Sequence, residues 1–523
     1  MRYIVLLGFL GLLLGFSSCR TDFDFEPSTG ELSFSRDTVY LDTVFTNIGS
    51  STYTLKVYNK SDKNISIPSI GFARGAASKY RMTVDGIVEN LSKSFSNVEL
   101  LAKDSMFIFI ETTANIADVS STDFLYTDQI IFGGGNNSQK VELVTLVQDA
   151  YFIFPNNNNG IRDSIDFGFD EVGEVTKVLG RNLQENHPDN GNEYIWTSEK
   201  PYVVYGFAGV PDGKTLTVNP GARIHFHADS GIIVQEGGTI NIAGEKSETE
   251  NLEKEVIFEG DRLEPGFAET PGQWDGVYLR AGSKDHSISN LTLKNATVGI
   301  YVQNNLGTPL QVRNTQIYNC SAVGLLGVFA QIDGFNLVIN SKTRGIGALA
   351  CRIGGSYNFT HCTFNNQSSS STQFAVIIDN FRKLDNGQII KADLIAANFN
   401  NCIIFGSNSR QLLLSKDDSQ LFNYKFTSCL LKFNNSDPAF NGSTLYDFEN
   451  TNLYLNCIRA QNNSDFKADF LDPQQNKLQI GADSAARGTA DSSFSAGTSD
   501  ILDISRTNPY DIGAYNFTIF EEE

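Results

Sequence analysis

The sequence predicts an all-β protein in which a β-sandwich is followed by a parallel β-helix. The 523 residues include 48 Asn, a residue favoured in turns and disfavoured in helices. Short alternating strands, separated by clusters of Gly, Asn, Asp and Ser, occupy the segment from about residue 38 to 147. In the C-terminal part a small residue recurs about once per 21 to 28 residues, which indicates a structural repeat.

Composition excludes several classes of partner. Apolar residues make up 41% of the chain and aromatic residues 11%, which is enough to build an ordered core. Lys and Arg total 40, whereas Asp and Glu total 60, so the net charge is −20. That charge repels a phosphate backbone or an anionic membrane surface, and we therefore expect no nucleic-acid partner.

The N-terminus is typical of an export signal. One Arg precedes an apolar run from Tyr3 to Phe16, and small residues then lead to Cys19. The run is too short to span a bilayer comfortably, and no apolar run of about 18 residues follows elsewhere. The sequence therefore predicts a cleaved signal peptide at 1–18 and no transmembrane helix.

The end of this signal, Phe16-Ser17-Ser18-Cys19, resembles a bacterial lipobox. The resemblance implies cleavage before Cys19 and attachment of acyl chains such as palmitate to it, and several buried acyl chains would anchor the protein. The alternative is an ordinary secretory signal with an incidental cysteine. An acidic stretch at 20–26 resembles surface-export signals of Gram-negative lipoproteins. We expect a tether at 19–31 and a lipid-anchored, surface-exposed protein of the cell outer membrane.

The segment at 32–148 has the pattern of a sandwich. Its strand-like phrases are Thr38–Leu41, Tyr53–Tyr58, Met106–Ile110 and Val141–Val147. Asp42-Thr43-Val44-Phe45, with the phrases at 57–61 and 65–67, resembles immunoglobulin-like modules of the centrosomal and flagellar protein type. The resemblance implies a stalk. Pro155 to Gly160 marks a boundary, and residues 149–200 are interpreted as an irregular connector that caps the next domain.

Six cysteines remain after Cys19, all in the C-terminal part. An exported chain could pair them as disulfides, but five of them occupy one local pattern. The same slot also contains Asn295-Ala296 and Asn340-Ser341, so we interpret the cysteines as stacked, reduced fillers of a repeat. The five occupy the third position of the tripeptides Tyr318-Asn319-Cys320, Thr360-His361-Cys362, Asn400-Asn401-Cys402, Thr427-Ser428-Cys429 and Leu455-Asn456-Cys457.

A repeat of this length without helical periodicity fits the coils of a parallel β-helix. Each coil buries one face of its short strands, and neighbouring coils lie about 4.8 Å apart. Asn side chains at equivalent turns can then form ladders. Leucine-rich repeats have a similar period, but the regular Leu-x-x-Leu-x-Leu scaffold is missing from the sequence.

Three phrases resemble bacterial right-handed β-helix proteins of the pectate-lyase-like superfold. They are Thr215 to Ile240, Pro271-Gly272-Gln273-Trp274-Asp275-Gly276-Val277, and Asp511-Ile512-Gly513-Ala514-Tyr515. The resemblance implies a right-handed parallel β-helix at 201–465 and a closing segment at 466–523. It implies little about activity, because this superfold hosts lyases, hydrolases, adhesins and non-catalytic modules.

The expected central coils contain few candidate catalytic residues. Between His286 and Ile378 the only acidic residue is Asp333, so a polygalacturonase-like carboxylate site or a calcium-dependent lyase site is not expected there. A metal-free lyase needs only a base and a cation. Its candidates are Arg313, Lys342, Arg344, Arg352 and His361, and the alternative is that these are solvated cations on outward positions.

Two histidines and one tryptophan are further candidates for binding sites. His225 and His227 lie two apart on an expected strand, and both should point to one face. No third ligand is close in sequence, so an exposed pair is favoured over a zinc site. Trp274 could stack on a sugar, but the resemblance implies a turn-packing role. We expect no metal and no cofactor.

The sequence leaves two functional hypotheses open. The first is a non-catalytic lipoprotein that binds a glycan or another surface component along the flank of the β-helix. The alternative is a polysaccharide lyase or hydrolase of an extracellular glycan, with a site built from insertions such as Asn365–Phe374 or Asp379–Asp393. Whether the protein is an enzyme stays uncertain from the sequence, which favours binding without catalysis.

Overall fold

The computed structural model describes residues 24–119, 124–133, 137–169, 175–342, 345–368, 373–434, 436–438, 440–462 and 464–520. The chain divides into two compact units, Met1–Asp149 and Ala150–Glu523. Within the described ranges, no helix has both the length and the apolar character that crossing a membrane requires. The expected acylation site Cys19 and the lyase candidate Arg344 lie outside the described residues.

The first unit consists of two facing sheets. One sheet has the order β1-β5-β10-β11-β3, with β8 paired to β5, and the other has the order β2-β4-β9-β6-β7. The strands are β1 Glu26–Pro27, β2 Leu32–Phe34, β3 Thr38–Phe45, β4 Tyr53–Asn59, β5 Ile65–Phe72, β6 Tyr80–Val84, β7 Ile87–Val88, β8 Ser94–Leu100, β9 Ser105–Thr112, β10 Leu125–Phe132 and β11 Gln139–Gln148.

This strand order is similar to that of an immunoglobulin-like sandwich. Strands β2, β4, β9 and β6 correspond to the ABED sheet, and β5, β10 and β11 correspond to the CFG sheet. Strand β3 pairs in parallel with β11 at the edge. Residues alternate along each strand, as in β9, where Met106, Ile108 and Ile110 are buried while Phe107 and Phe109 face solvent. The apolar residues at alternate positions of the predicted strands therefore form the core of the sandwich.

The second unit contains one sheet of 27 strands and three small hairpin sheets. The strands of the large sheet are β12 Tyr151–Ile153, β15 Ser164–Phe169, β16 Val175–Asn182, β17 Ile195–Trp196, β18 Tyr202–Val204, β19 Phe207–Val210, β20 Thr215–Val218, β21 Arg223–Phe226, β22 Gly231–Val234, β23 Thr239–Ala243, β24 Val256–Gly260, β25 Trp274–Leu279, β26 Ser287–Ser289, β27 Leu291–Lys294, β28 Ala296–Gln303, β29 Leu310–Tyr318, β30 Val323–Ser341, β31 Gly347–Thr360, β32 Thr363–Asn366, β33 Phe374–Asp379, β36 Leu394–Asn400, β37 Ile403–Gly406, β38 Leu412–Ser415, β39 Lys425–Thr427, β40 Leu430–Lys432, β41 Tyr454–Leu455 and β42 Ile458–Ala460.

The hairpins and short helices complete this unit. The hairpin strands are β13 Asn157–Asn158, β14 Ile161–Arg162, β34 Phe381–Lys383, β35 Ile389–Lys391, β43 Phe470–Asp472 and β44 Lys477–Ile480. One short α-helix, α1, spans Ser492–Ser495. Short 3₁₀ helices across the described chain span Gly75–Ala77, Ile116–Asp118, Pro265–Phe267, Thr444–Tyr446 and Pro473–Gln475.

The pairing pattern of the large sheet defines a parallel β-helix with three strand faces per coil. In the first coils each strand pairs in parallel with the third strand after it, as β18 does with β21, β21 with β24, and β24 with β27. The longer strands β30 and β31 bend through more than one face, since each of them pairs with strands on two faces of the next coil. The fold class predicted from the sequence is confirmed.

Stacked apolar side chains fill the interior of the β-helix. Phe359, Phe399, Phe426 and Tyr454 occupy one inward position on four successive coils. Their ring centroids lie 5.2, 4.9 and 5.4 Å apart, close to the spacing of the coils. Each coil therefore supplies one ring to a continuous column.

The predicted cysteine slot is a turn between two strands. In six of its seven repeats the residue before the small one has φ between 48° and 66°, the left-handed region that Asn tolerates better than most residues. All six described cysteines are free, and all but Cys457 are buried. The left-handed residues are Asn295, Asn319, His361, Asn401, Ser428 and Asn456.

The segment at 149–200, which the sequence predicts to be an irregular connector, contains strands, and the closing segment at 466–523 packs along the β-helix. Residues 149–200 contribute β12, β16 and β17, which pair with β18, β19 and β20 and so form part of the first coils. The C-terminal segment returns along one flank, where Leu478, Ile501 and Tyr515 pack with Val338. The backbone N–H of Ala514 donates to Thr363 Oγ1 at 3.1 Å. That flank is therefore covered by the chain itself.

Candidate functional site

An open cleft of about 800 Å³ lies beside the first coils of the β-helix. The turns after β18 and β21 and the start of β25 supply Tyr205, His227, Asp229 and Asp275. The hairpin β13–β14 adds Arg162 to the rim. The volume is in the range of ligand sites in proteins, and polar groups converge in it.

Coil stacking explains why these side chains meet. Val204, Phe226 and Gly260, which end β18, β21 and β24, pair with one another across three coils. The next residues, Tyr205, His227 and Asp261, are consequently stacked at one turn. The rings of Tyr205 and His227 have centroids 4.5 Å apart, and His227 Nδ1 lies 2.7 Å from Asp261 Oδ2.

The stacked turn has a distinct electrostatic character. The hydrogen bond with the Asp261 carboxylate raises the pKa of His227, because the bond and the negative charge favour the imidazolium. The Asp261 side chain is only 11% exposed, whereas that of His227 is 48% exposed and faces the cleft. Burial raises the pKa of Tyr205 to about 12, so its hydroxyl stays protonated.

Two carboxyl groups, those of Asp229 and Asp275, share the cleft. Asp229 is exposed and has φ of 55°, and the following Ser230 is buried and accepts the backbone N–H of Gly206 through its Oγ. The backbone N–H of Asp275 donates to the carbonyl of Ser230 at 2.9 Å. Burial raises the pKa of Asp275, and the negative charge of Asp229 raises it further.

Neighbouring residues hold Asp275 in place. Trp274 is buried and stacks on Phe226 with a centroid distance of 4.1 Å and an interplanar angle of 11°. Its Nε1 donates to the carbonyl of Lys294 at 3.0 Å. A Cβ at Gly276 would lie 1.9 Å from the carbonyl oxygen of Val298, so the position requires glycine. The Trp-Asp-Gly phrase therefore fixes the backbone and leaves the carboxyl group of Asp275 at the cleft.

The arrangement is suited to general acid–base chemistry. A half-buried carboxyl with a raised pKa can hold a proton, and an exposed carboxylate nearby can accept one. His227 and Arg162 add positive charge at the rim. Among the residues that the structure describes, no group of three or more His, Cys, Asp or Glu has a metal-binding arrangement.

The expected exposed pair of His225 and His227 is wrong. His225 is buried, and its Nδ1 lies 3.6 Å from Glu259 Oε1, which also binds Lys294 through its other oxygen at 2.7 Å. Burial lowers the pKa of His225. Strand β21 ends at Phe226, so the alternation that would place both imidazoles on one face stops before His227. Trp274 packs inside the coil, as the resemblance implied.

The described lyase candidates occupy separate contacts. Arg313 Nη2 donates to Gln311 Oε1 at 3.2 Å, and Lys342 Nζ lies 3.1 Å from Glu269 Oε2. His361 is buried between α1 and the segment containing Gly513, with its Nε2 3.1 Å from Ser495 Oγ. Burial and the charge of Arg506 lower the pKa of His361 to about 3. His361 therefore holds the C-terminal segment instead of facing a substrate.

The carboxylates of the cleft and of its stacked turn are not predicted from the sequence. The expected sites concern the central coils from His286 to Ile378, whereas Asp229, Asp261 and Asp275 lie in the earlier coils. Asp229 and Asp261 follow the ends of β21 and β24, and Asp275 lies at the start of β25, so a position next to a strand terminus is the only signal in the sequence. Their convergence depends on coil lengths, because the insertion between β24 and β25 separates Asp261 from Asp275 by 13 residues.

The fold and cleft define a parallel β-helix protein with a carboxylate-containing surface site. No protein-family model and no curated protein matches the sequence. Among solved structures, the chain is similar to the catalytic unit of a GH87 α-1,3-glucanase from Streptomyces thermodiastaticus strain HF3-3, with TM-score 0.28, 9% identity, and coverage of 72% of this chain and 73% of that chain. It is also similar to Dex49A from Penicillium minioluteum, with TM-score 0.27, 9% identity, and coverage of 76% and 82%. Similarity at this level carries no argument about function.

Proposed function

We propose that this protein hydrolyses an extracellular glycan in the cleft formed by Tyr205, His227, Asp229 and Asp275. The observation that carries the proposal is the half-buried carboxyl of Asp275, whose pKa is raised by burial and by the charge of Asp229. Paired carboxyl groups with different environments are what glycosidic hydrolysis requires. The cleft is open to solvent, so a polysaccharide can reach these side chains.

In the proposed reaction Asp275 acts as the acid. Its carboxyl proton passes to the glycosidic oxygen as the bond between that oxygen and the anomeric carbon breaks. The Asp229 carboxylate takes a proton from a water molecule whose oxygen bonds to the anomeric carbon. The products are two shorter chains, one of which has a new reducing end. The ring of Tyr205 offers an apolar surface for a sugar ring, and His227 and Arg162 offer hydrogen-bond donors.

We further propose that the protein acts outside the cell as a lipid-anchored protein. The lipobox-like sequence before Cys19 and the acidic stretch after it support this location. An open cleft that accepts a polymer is consistent with a substrate too large to be imported intact.

A panel of soluble polysaccharides tests the hydrolysis directly. Wild-type protein should release reducing ends from at least one polysaccharide, without the absorbance of an unsaturated product. Asp275→Asn and Asp229→Asn should each lower the rate about 10²–10⁴-fold, as the loss of a general acid or base does. Asp503→Asn, at an exposed position with φ of 60° that Asn accommodates, should leave the rate unchanged.

Three results would contradict the proposal in different ways. Wild-type protein that binds a polysaccharide without cleaving it would support the non-catalytic hypothesis. Unsaturated products would identify a lyase. Full activity in Asp275→Asn would show that another group supplies the proton.

A further inference from the structure

One outward row of the β-helix carries a polar side chain on seven successive coils. The backbone register aligns the seven positions directly above one another, and all are half-buried. We call this set the amide row, because four of its members are amides. Its members in chain order are Asn241, Ser287, Gln311, Asp333, Asn358, Asn398 and Lys425.

Hydrogen bonds fix the orientation of the central members. Asp333 accepts from Gln311 Nε2 at 3.0 Å through one oxygen and from Asn358 Nδ2 at 2.9 Å through the other. Asn398 Nδ2 donates to Asn358 Oδ1 at 2.8 Å. A carboxamide can make up to four hydrogen bonds, and the contacts along the row use two of those of Asn358. Each central amide is therefore held in place while keeping capacity for a ligand.

The surroundings keep the row accessible. The outward positions on one side carry Gln331, Ser356 and Ala396, which are small or polar. On the other side Arg313 is exposed and lies over the ring of Phe335, 5.9 Å from its centroid. The C-terminal segment packs instead against the row that contains Val338 and Thr363. The amide row is thus a flank that the C-terminal segment leaves open.

The charge on this flank differs from that of the whole chain. The protein has a net charge of −20, yet the amide row contains one carboxylate, Asp333, and one ammonium, Lys425. The Asp333 carboxylate already accepts two amide N–H donors. The row therefore offers hydrogen-bond donors and acceptors but little net charge. It has no strong electrostatic potential that would favour a charged polymer.

We propose that the amide row is a second binding site, for an extended and uncharged polysaccharide lying along the β-helix. Coils are spaced by about 4.8 Å, close to the length that one pyranose residue adds to an extended chain, so each coil can meet one sugar. Hydroxyl groups donate and accept, which matches a row of oriented amides. The glycan class is shared with the function proposed for the cleft, but binding here needs no catalysis.

Affinity electrophoresis through gels containing polysaccharide tests the row. The uncharged probes are dextran, amylopectin, xylan and mannan, and the charged probes are polygalacturonate and alginate. Wild-type protein should be retarded by an uncharged polysaccharide. Replacing Asn358 and Asn398 together by Leu should weaken that binding about tenfold, because two oriented hydrogen-bonding amides are lost.

Matched variants separate this effect from misfolding and from the cleft. Gln461→Leu, an exposed amide outside the row, should bind as wild type does. Gln311→Leu, at another coil of the row, provides a second loss-of-binding variant if the double variant unfolds. Asp275→Asn should keep the binding even where it abolishes cleavage.

The results distinguish the two proposals. Unchanged binding in both row variants, no retardation by any uncharged polysaccharide, or a preference for polygalacturonate or alginate would overturn the amide-row proposal. Binding that depends on the row, in a wild-type protein that cleaves nothing, would overturn the hydrolysis proposal and leave the row intact.

Discussion

The histidines show how surroundings set the chemistry of one residue type. Burial lowers the pKa of His225, brings that of His286 to about 4 and, with the charge of Arg506, brings that of His361 to about 3. The bond to Asp261 raises the pKa of His227. Three imidazoles are therefore held neutral inside the fold, while the one that lines the cleft is stabilised as a cation.

Asp261→Asn is expected to lower the pKa of His227 toward its ordinary value near 6.5, because the carboxylate partner is lost. A raised folded-state pKa contributes stability that is fully present below about pH 6.5 and is lost as pH rises through the raised value. The Tm difference between wild type and variant should therefore be larger at about pH 5.5 than at about pH 9. NMR titration of labelled histidine measures the pKa, and an unchanged His227 titration would contradict the assignment.

The turn that contains the cysteine slot recurs with the same backbone conformation on successive coils. A left-handed residue precedes the small residue on six coils, and the small side chain enters the interior where two coils approach closely. The backbone N–H of Cys362 lies 3.4 Å from Cys402 Sγ, and that of Cys402 lies 3.4 Å from Cys429 Sγ. Cysteine fits these positions as a small apolar filler.

Thiol titration of the purified protein in denaturant without reductant should find all six cysteines after Cys19 free. All of the described cysteines are free. They are buried except for Cys457, which is partly exposed at the end of the row. Neighbouring Cα positions are near enough for a disulfide, but the stacked side chains run parallel, which disfavours one. Mass spectrometry that finds the six cysteines in three disulfides would refute the filler role.

The whole molecule combines a sandwich unit with a long β-helix. Stacked coils generate continuous rows of side chains, and the C-terminal segment covers one flank while the cleft and the amide row stay open. The amide row therefore lies on a face that coil stacking extends, and the cleft lies beside a stacked turn of the first coils.

The proposed anchor makes a prediction for the whole protein. Cys19→Ala should move the protein from the membrane fraction to the soluble fraction and abolish labelling by a fatty-acid analogue, because no acyl chain is then attached. Cys457→Ala, at a partly exposed cysteine of the β-helix, serves as the matched control and should stay membrane-bound. Unchanged fractionation and labelling of Cys19→Ala would contradict the lipid anchor.

Part of the architecture could be predicted because it depends on residues that are close together in the sequence. The alternation around Met106 to Ile110 and the recurring slot at the cysteines each follow from nearby residues and a fixed period. Residues 149–200 have no such period, so their strands β12, β16 and β17 were interpreted as irregular. Those strands form because the first coil offers them unpaired backbone groups.

The sequence by itself determined the all-β class, the sandwich followed by a parallel β-helix, and the turn that carries the cysteines. Only the tertiary structure decided that Tyr205, His227 and Asp261 stack, that Asp229 and Asp275 share a cleft, and that His361 is buried. The physical reason is that coils differ in length, so residues far apart in the chain meet only when strand pairing fixes the register. A period identifies the repeat, but the register decides which side chains face one another.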